Sequence, residues 1–168
     1  CCLQGDLPGA QAWLDTLLSP ETPMDSMHKR TCWARRAELA LLQGQAFMAL
    51  EIAEDLIASA PGISPGVVIP YLWQLKAQAL VVMGQPEEAG SLLQAAIQHD
   101  QVSGGRSLLW RLHASLGHVH GTMGEAAEAA AHLSTARLLV EELADTIPDH
   151  TLKDGFLRGA HGLLRSPQ

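Results

Sequence analysis

Cysteine is scarce in this chain of 168 residues, and its placement excludes two common ways of stabilising a small domain. The cysteines are Cys1, Cys2 and Cys32, and the first two are adjacent. Disulfide-rich secreted domains carry cysteines at regular spacings, and structural zinc sites carry CxxC pairs. A chain of this length can bury a core without either kind of cross-link. The pattern favours a protein of the reducing cytoplasm.

Long apolar runs are also missing. No run approaches the roughly 18 residues that a membrane-spanning helix requires, because Gly, Gln, Glu or His interrupts each one. No signal-peptide pattern is present at the amino terminus. We therefore predict a cytoplasmic protein with no membrane contact.

Basic residues are few, at 11 Lys and Arg against 18 Asp and Glu, for a formal net charge of −7. Domains that bind nucleic acid directly usually present a basic face to the phosphates, so direct nucleic-acid binding is disfavoured. One local exception is the group Lys29, Arg30, Arg35 and Arg36. Arg35 and Arg36 lie about 100° apart on a helix and form no stripe. We interpret the group as a solvated helix face, with a phosphate contact as the alternative.

Catalytic signatures are absent from the sequence. The segment Gly104, Gly105, Arg106, Ser107 lacks the Lys-Ser/Thr of a phosphate-binding loop, and neither a GxSxG nor an HExxH motif occurs. We predict a protein that is not an enzyme and that requires no cofactor.

Aromatic residues make up only 4% of the chain, whereas alanine and leucine are abundant, which favours closely packed helices over sheets. Gly44, Gly84 and Gly124 are evenly spaced along the chain. Each glycine separates two segments whose apolar residues recur at spacings of three and four. A fixed period of about 40 residues, carried by helical pairs, indicates a helical repeat. We predict an all-α fold, a right-handed superhelix of helical hairpins with a carboxy-terminal capping helix.

The repeat boundaries follow from this alignment. We predict one repeat domain over residues 1–168, made of a half repeat at 1–20, repeats at 25–61, 65–100 and 104–146, and a terminal helix at 149–164. A polar link at Ser103, Gly104 and Gly105 separates the second repeat from the third. The terminal helix is expected to cover the apolar side formed by Leu133, Leu138 and Leu139. Because the chain opens at the turn of a repeat and lacks an initiator Met, we expect it to be part of a longer protein.

Several residues around these turns match a known repeat pattern, an aromatic followed by small residues at set spacings. The three copies carry Trp33, Ala37, Ala40 and Ala49; Trp73, Ala77, Leu80 and Ala89; and His113, Gly117, His120 and Ala129. This pattern resembles the tetratricopeptide repeat (TPR). The period is longer than the one usual in that family, and Arg36 and Lys76 stand where the family usually has Leu. The resemblance implies a scaffold that binds other proteins.

The last thirty residues, with the run ARLLVEELADTIPDHTLKDGFLRGAHGLL, resemble the carboxy-terminal arrays of large bacterial signal-transduction ATPases, including LuxR-type regulators. This resemblance implies a non-catalytic interaction or regulatory module of a signalling or transcriptional regulatory protein. The ATP-binding part would then lie upstream in the parent protein. The partner would be a protein, a peptide or another domain of the parent chain.

In stacked hairpins the first helices line the concave wall, and alignment on the turn glycines predicts which of their side chains point away from the core. These candidate partner-binding residues are Glu38, Tyr71, Gln74, Gln78, Arg111 and His118. Tyrosine and arginine are residue types that anchor interfaces. An ordinary solvated surface is the alternative.

The histidines suggest a second interpretation of the function, because His113, His118 and His120 lie on one predicted helix and His132 lies on its partner. A histidine-based, metal-dependent sensor or enzyme is therefore the alternative function. Metal-binding histidines on one helix face are usually three or four residues apart, whereas these are five and two apart. We predict no metal site, and expect His113 and His120 to hydrogen-bond to the neighbouring helix.

The tryptophans divide into two pairs. Trp33 and Trp73 occupy inward repeat positions and are expected in the core. Trp13 and Trp110 do not, and we expect a face of each to remain exposed.

Overall fold

Every regular element in the described part of the chain is an α-helix. The computed structural model describes residues 7–60, 69–103 and 106–165. The helices are α1 (Leu7–Leu17), α2 (Met27–Leu42), α3 (Ala46–Ala58), α4 (Pro70–Val82), α5 (Pro86–Ser103), α6 (Arg106–Thr122), α7 (Ala126–Asp145) and α8 (His150–Arg165). None of the described helices is long and apolar enough to cross a membrane. The predicted all-α class is confirmed.

The helix ends agree closely with the periodicity, with one correction. α5 continues to Ser103, which was predicted to belong to a polar link. The rest of that link, Gly104 and Gly105, lies outside the described residues, as does Gly5, the glycine expected at the turn of the half repeat. Asp149 caps α8, since its Oδ1 accepts a hydrogen bond from the Leu152 N–H at 2.9 Å.

The three evenly spaced turn glycines adopt the left-handed conformation. Gly44, Gly84 and Gly124 have φ values of 74°, 80° and 78°. After α2, the N–H of Gln45 donates to the Ala40 carbonyl at 2.8 Å, and the N–H of Gly44 donates to the Leu41 carbonyl at 3.0 Å. This pair of bonds satisfies two carbonyls that the end of a helix leaves without partners. A side chain at such a φ is strained, which is why glycine recurs here.

The turn after α6 repeats the same hydrogen bonds. Glu125 N–H donates to the His120 carbonyl at 2.9 Å, and Gly124 N–H donates to the Gly121 carbonyl at 3.2 Å. The same hydrogen-bonded turn therefore ends α2 and α6, at glycines separated by two periods of the sequence.

The chain divides into two compact units, residues 1–84 and 85–168. We call them the amino-terminal and carboxy-terminal units. In the amino-terminal unit α2 packs on α1 and α3, α3 packs on α4, and α2 also contacts α4. Its core is rich in alanine, with Ala37, Ala49, Ala53 and Ala79 fully buried. The predicted superhelix and the single repeat domain over 1–168 stay predictions.

The two departures from the TPR pattern in this unit form equivalent ion pairs. Arg36 Nη1 on α2 lies 2.5 Å from Asp15 Oδ1 on α1, and Lys76 Nζ on α4 lies 2.7 Å from Glu54 Oε1 on α3. Arg36 and Lys76 are separated by one full period of the sequence. Hydrogen bonds from Gln11 and Arg36 lower the pKa of Asp15 from its usual value. Each pair joins the first helix of a predicted repeat to the helix that precedes it.

Arg30 corrects the interpretation of the basic group as a solvated helix face. Its side chain is only 9% exposed. Nη1 donates to the carbonyls of Met24 (3.3 Å) and Ser59 (3.1 Å) and to Ser59 Oγ (2.9 Å), and Nη2 donates to the Leu56 carbonyl. The carbonyls at the end of α3 lack partners within the helix and carry the negative end of its dipole. Arg30 therefore fastens the connection between α1 and α2 to the end of α3.

The tryptophans follow their predicted environments only in part. Trp110 is buried rather than partly exposed, because its ring meets the edge of Phe156 on α8 at a centroid distance of 6.3 Å. Trp13 is exposed, as predicted. Trp33 and Trp73, which were expected in the core, are half-buried, and Trp33 packs against the edge of the core of the amino-terminal unit.

In the carboxy-terminal unit α6 packs against α5 and α7, and α7 packs against α8. α8 covers fewer of the three predicted leucines than expected. Leu133 and Leu139 pack with Ala160 and Leu164 of α8, whereas Leu138 remains 59% exposed. The cause is helical geometry, since neighbouring residues on a helix are rotated by about 100° and cannot all face the same partner.

α6 and α7 lie close together at Gly117. A Cβ added there would lie 2.8 Å from Leu133 Cγ and 3.1 Å from the Ala129 carbonyl oxygen. We expect Gly117→Ala to lower the free energy of unfolding by about 2 kcal/mol, because overpacking forces the helices apart. Urea denaturation measures this change.

Gly121, on the same helix, provides the control, because a Cβ there meets nothing within 4 Å. Gly121→Ala should leave stability unchanged or raise it by up to about 1 kcal/mol, since alanine favours helix. Equal effects of the two substitutions would show that α6 and α7 are not in close contact at Gly117.

Replacing Arg30 tests its structural role. Arg30→Met keeps a long apolar side chain but leaves buried carbonyls without a donor, so we expect a loss of about 3 kcal/mol in the free energy of unfolding. Arg137→Met, at an exposed position on α7, should change stability by less than about 0.5 kcal/mol. Similar values for both variants would contradict the role assigned to Arg30.

Candidate interaction surface

Glu38 and Tyr71, two of the predicted partner-binding residues, are joined by a hydrogen bond. Glu38 lies on α2 and Tyr71 lies in the first turn of α4. Tyr71 Oη donates to Glu38 Oε1 at 2.7 Å. The structure therefore brings together two residues that are distant in the sequence.

Arg35 belongs to the same cluster, although the sequence alignment did not select it. Its Nη1 lies 2.8 Å and 2.7 Å from the two carboxylate oxygens of Glu38. Its Cζ lies 5.9 Å from the centroid of the Tyr71 ring, within reach of a cation–π interaction. Arg35 is three residues before Glu38 on α2, and this spacing was the signal that could have found it. We call Arg35, Glu38 and Tyr71 the α2–α4 cluster.

The other two predicted residues of the amino-terminal unit are no more accessible than Glu38 and Tyr71, which are half-buried. Gln74 is buried and Gln78 is half-buried. Both lie on α4, three and seven residues after Tyr71. Arg35 is therefore the exposed member of the α2–α4 cluster, whereas its two predicted members are half-buried.

Arg111 and His118 lie on α6, in the carboxy-terminal unit. The Cζ of Arg111 lies 5.3 Å from the ring centroid of Trp110, so the guanidinium sits over an aromatic face. His118 Nε2 is 3.2 Å from the Leu163 carbonyl oxygen on α8. His118 is therefore engaged with the terminal helix. The predicted row of six residues falls into two sets, one in each unit.

Three histidines of the carboxy-terminal unit stack on one another. His113 Nδ1 lies 2.9 Å from His132 Nδ1, with ring centroids 5.2 Å apart. The rings of His120 and His132 are 5.4 Å apart and within 2° of parallel, and His120 Nδ1 lies 2.5 Å from Glu125 Oε2. The predicted hydrogen bond to the neighbouring helix is present for His113, whereas His120 bonds to Glu125, the residue before α7, and only stacks on His132 of that helix. We call His113, His120 and His132 the histidine stack.

His118 is not part of the stack, because it lies two residues from His120 and so on another side of α6. Within the described ranges, no group of three or more His, Cys, Asp or Glu residues is positioned to hold a metal ion. The alternative of a metal-dependent sensor or enzyme therefore gains no support from the ligand geometry. Sequence spacing along α6 could not reveal the stack, since His132 comes from α7.

Burial and mutual repulsion favour the neutral forms of His113 and His132. Burial, with a smaller effect of the charge on His132, lowers the pKa of His113 from 6.5 to about 4. Burial and the charge on His120 likewise lower the pKa of His132. A hydrogen bond between two Nδ1 atoms requires one ring to carry its proton there and the other to accept. Protonating both Nδ1 atoms would abolish that bond.

Comparison with known proteins gives no match: no protein-family model, no curated protein and no solved structure is similar to this chain. The resemblance to the tetratricopeptide repeat and to the bacterial regulators stays a prediction from the residues.

The histidine stack makes stability depend on pH. The folded pKa of His113 is below its ordinary value, so the unfolded chain binds more protons and stability falls as pH decreases from about 6.5 to about 4. Allowing for partial hydration of the pair, we expect His113 to account for about 2 kcal/mol of this loss. Urea denaturation at a series of pH values, compared between the protein and His113→Gln, isolates this contribution.

His161→Gln, at an exposed position on α8, is the control and should follow the pH profile of the unmodified protein. The profile of His113→Gln should be flatter between pH 6.5 and about 4. Parallel profiles for the protein and for His113→Gln would contradict the assignment.

Proposed function

We propose that this chain is a non-catalytic interaction module that binds a protein or peptide through the α2–α4 cluster. The observation that carries the proposal is the pairing of Tyr71 with Glu38 and Arg35 at the surface where α2 and α4 meet. Tyrosine and arginine supply much of the binding energy in protein interfaces, because they combine apolar area with directional hydrogen bonds.

The cluster is held in place before any partner arrives. Tyr71 is restrained by Glu38, and Glu38 is restrained by Arg35. Side chains that are already ordered lose less conformational entropy on binding. The Arg35 side chain remains 55% exposed and can approach a carboxylate of a partner.

The proposal includes an arrangement of the helices as repeated hairpins around this surface. Left-handed turn glycines at one constant spacing support helical hairpin repeats, which we propose to be TPR-like and to stack as a right-handed superhelix. In such a stack α2 and α4 are successive first helices and their shared face is concave. The contact between α2 and α4 supports this placement.

The parent protein in this proposal is a cytoplasmic bacterial signal-transduction ATPase or LuxR-type transcriptional regulator. The support is the resemblance of the last thirty residues to the carboxy-terminal arrays of those proteins. Another domain of the same parent is then a natural partner for the α2–α4 cluster. ATP binding would belong to the parent and not to this chain.

Selection from a random peptide library on the purified chain tests the proposal. For the selected peptide, Tyr71→Ala should weaken binding by about tenfold or more, measured by isothermal titration calorimetry. Tyr71→Phe should have a smaller effect, because the ring is kept and only the hydroxyl bond to Glu38 is lost. Arg111→Ala reports whether α6 also contributes.

Glu88→Ala, at an exposed position in the first turn of α5, is the control and should change the affinity by less than about twofold. Melting temperatures establish that each variant is folded. Equal losses from Tyr71→Ala and Glu88→Ala, or no loss from Tyr71→Ala, would place the binding surface elsewhere.

A further inference from the structure

A second surface of the amino-terminal unit forms an open groove of about 1040 Å³. It lies between the connection from α1 to α2 and the side of α3 that carries Met48, Glu51 and Asp55. The groove includes neither Glu38 nor Tyr71, so it is separate from the α2–α4 cluster.

The floor of the groove is apolar. It is lined by Leu18, Trp33, Met48 and Ile52. Met48 is 38% exposed, although large apolar side chains are usually covered. Methionine adapts to partners of different shape, which suits a binding floor.

The walls of the groove are fixed by hydrogen bonds. Trp33 Nε1 donates to the Thr22 carbonyl at 3.1 Å, which orients the indole and ties the connection to α2. Arg30 ties Met24 of the same connection to the end of α3. The groove therefore exists without a ligand, and a partner need not order it on binding.

The rim of the groove is acidic. Glu21 lies on the connection, and Glu51, Glu54 and Asp55 lie on one side of α3. Glu54 is neutralised by Lys76, and Arg36, the cationic residue in the lining, is neutralised by Asp15. Among the described residues, the carboxylates of Glu21, Glu51 and Asp55 form no ion pair. Like charges at this spacing repel one another unless a cation is brought between them.

We propose that this groove binds a basic amphipathic peptide segment of a partner protein. A large apolar side chain of the segment rests on Trp33 and Met48, and its Lys or Arg side chains pair with Glu51, Asp55 and Glu21. The sign of the charge disfavours nucleic acids and anionic membrane surfaces. The open shape of the groove favours a peptide, since small-molecule sites bury most of their ligand.

This proposal goes beyond the function proposed above and can fail independently of it, because the two surfaces use different residues. Tyr71→Ala is expected to leave binding in the groove unchanged. If Tyr71→Ala abolished binding and substitutions in the groove did not, the peptide would bind at the α2–α4 cluster and the proposal for the groove would be wrong.

Fluorescence anisotropy with a labelled synthetic peptide, KKLLKLLKKL, tests the proposal on the full chain. We expect Glu51→Gln combined with Asp55→Asn to weaken binding by about tenfold, and Met48→Ala to weaken it by about threefold. A peptide with glutamine in place of each lysine should bind at least about tenfold more weakly than the lysine peptide.

A matched pair of substitutions controls for the net charge of the protein. Glu141→Gln combined with Asp154→Asn removes the same two charges from exposed positions on α7 and α8. It should change affinity by less than about twofold. Circular dichroism establishes that all variants are folded.

Three outcomes would overturn the proposal. Equal weakening by the two double variants would show that the peptide responds only to overall charge. Equal binding of the lysine and glutamine peptides would show that the carboxylates of the groove do not contribute to binding. A dimer of the free chain that is dissociated by Met48→Ala, seen by analytical ultracentrifugation, would make a second copy the occupant of the groove.

Discussion

The close approach of neighbouring helices is the constraint on which the rest of the structure depends. Fully buried positions such as Ala37, Ala49, Ala53 and Ala136 are small, and at Gly117 even a methyl group would meet the opposite helix. Small side chains bring the backbones together and leave little apolar area per residue. The core therefore needs many such contacts along each helix, since each contributes modestly.

Polar side chains at the flanks of these contacts set how the helices are aligned. Asp15 with Arg36, and Glu54 with Lys76, connect consecutive helices, and the two basic residues are one sequence period apart. Arg30 does the same for an irregular connection by supplying donors to carbonyls that would otherwise be buried without partners. In consequence α2 presents two ordered faces, one with Arg35 and Glu38 toward α4 and one with Trp33 toward the groove.

Much of the fold was predictable because local patterns determine it. Apolar spacing predicted the helices, and the recurrence of glycine predicted the turns between them. The Arg30 contacts, the burial of Trp110 and the stacking of His113 on His132 depend on which elements meet in space. Arg30 was grouped with its solvated neighbours because no residue of α2 indicates that the end of α3 lies beside it. The antiparallel hairpin around Gly124 could have suggested that His113 and His132 meet, since it brings the two positions to the same level.

The candidate surfaces were predicted in part for the same reason. Alignment of the repeats selected Glu38 and Tyr71, which a hydrogen bond joins, but Gln74 is buried and His118 is engaged by α8. The His118 contact depends on α8, which lies outside the aligned first helices. The groove was not foreseen, because its walls come from a connection without periodicity.

The order in which helices pack has a consequence for how the chain folds. Within the described units the extensive contacts join helices that follow one another in the chain, with α2 and α4 as the pair that skips one helix. Contacts between neighbours in sequence require little loop closure, so the entropic barrier to forming them is small. Folding is then expected to be fast and to begin at more than one hairpin, with each completed pair of helices serving as a template for the next.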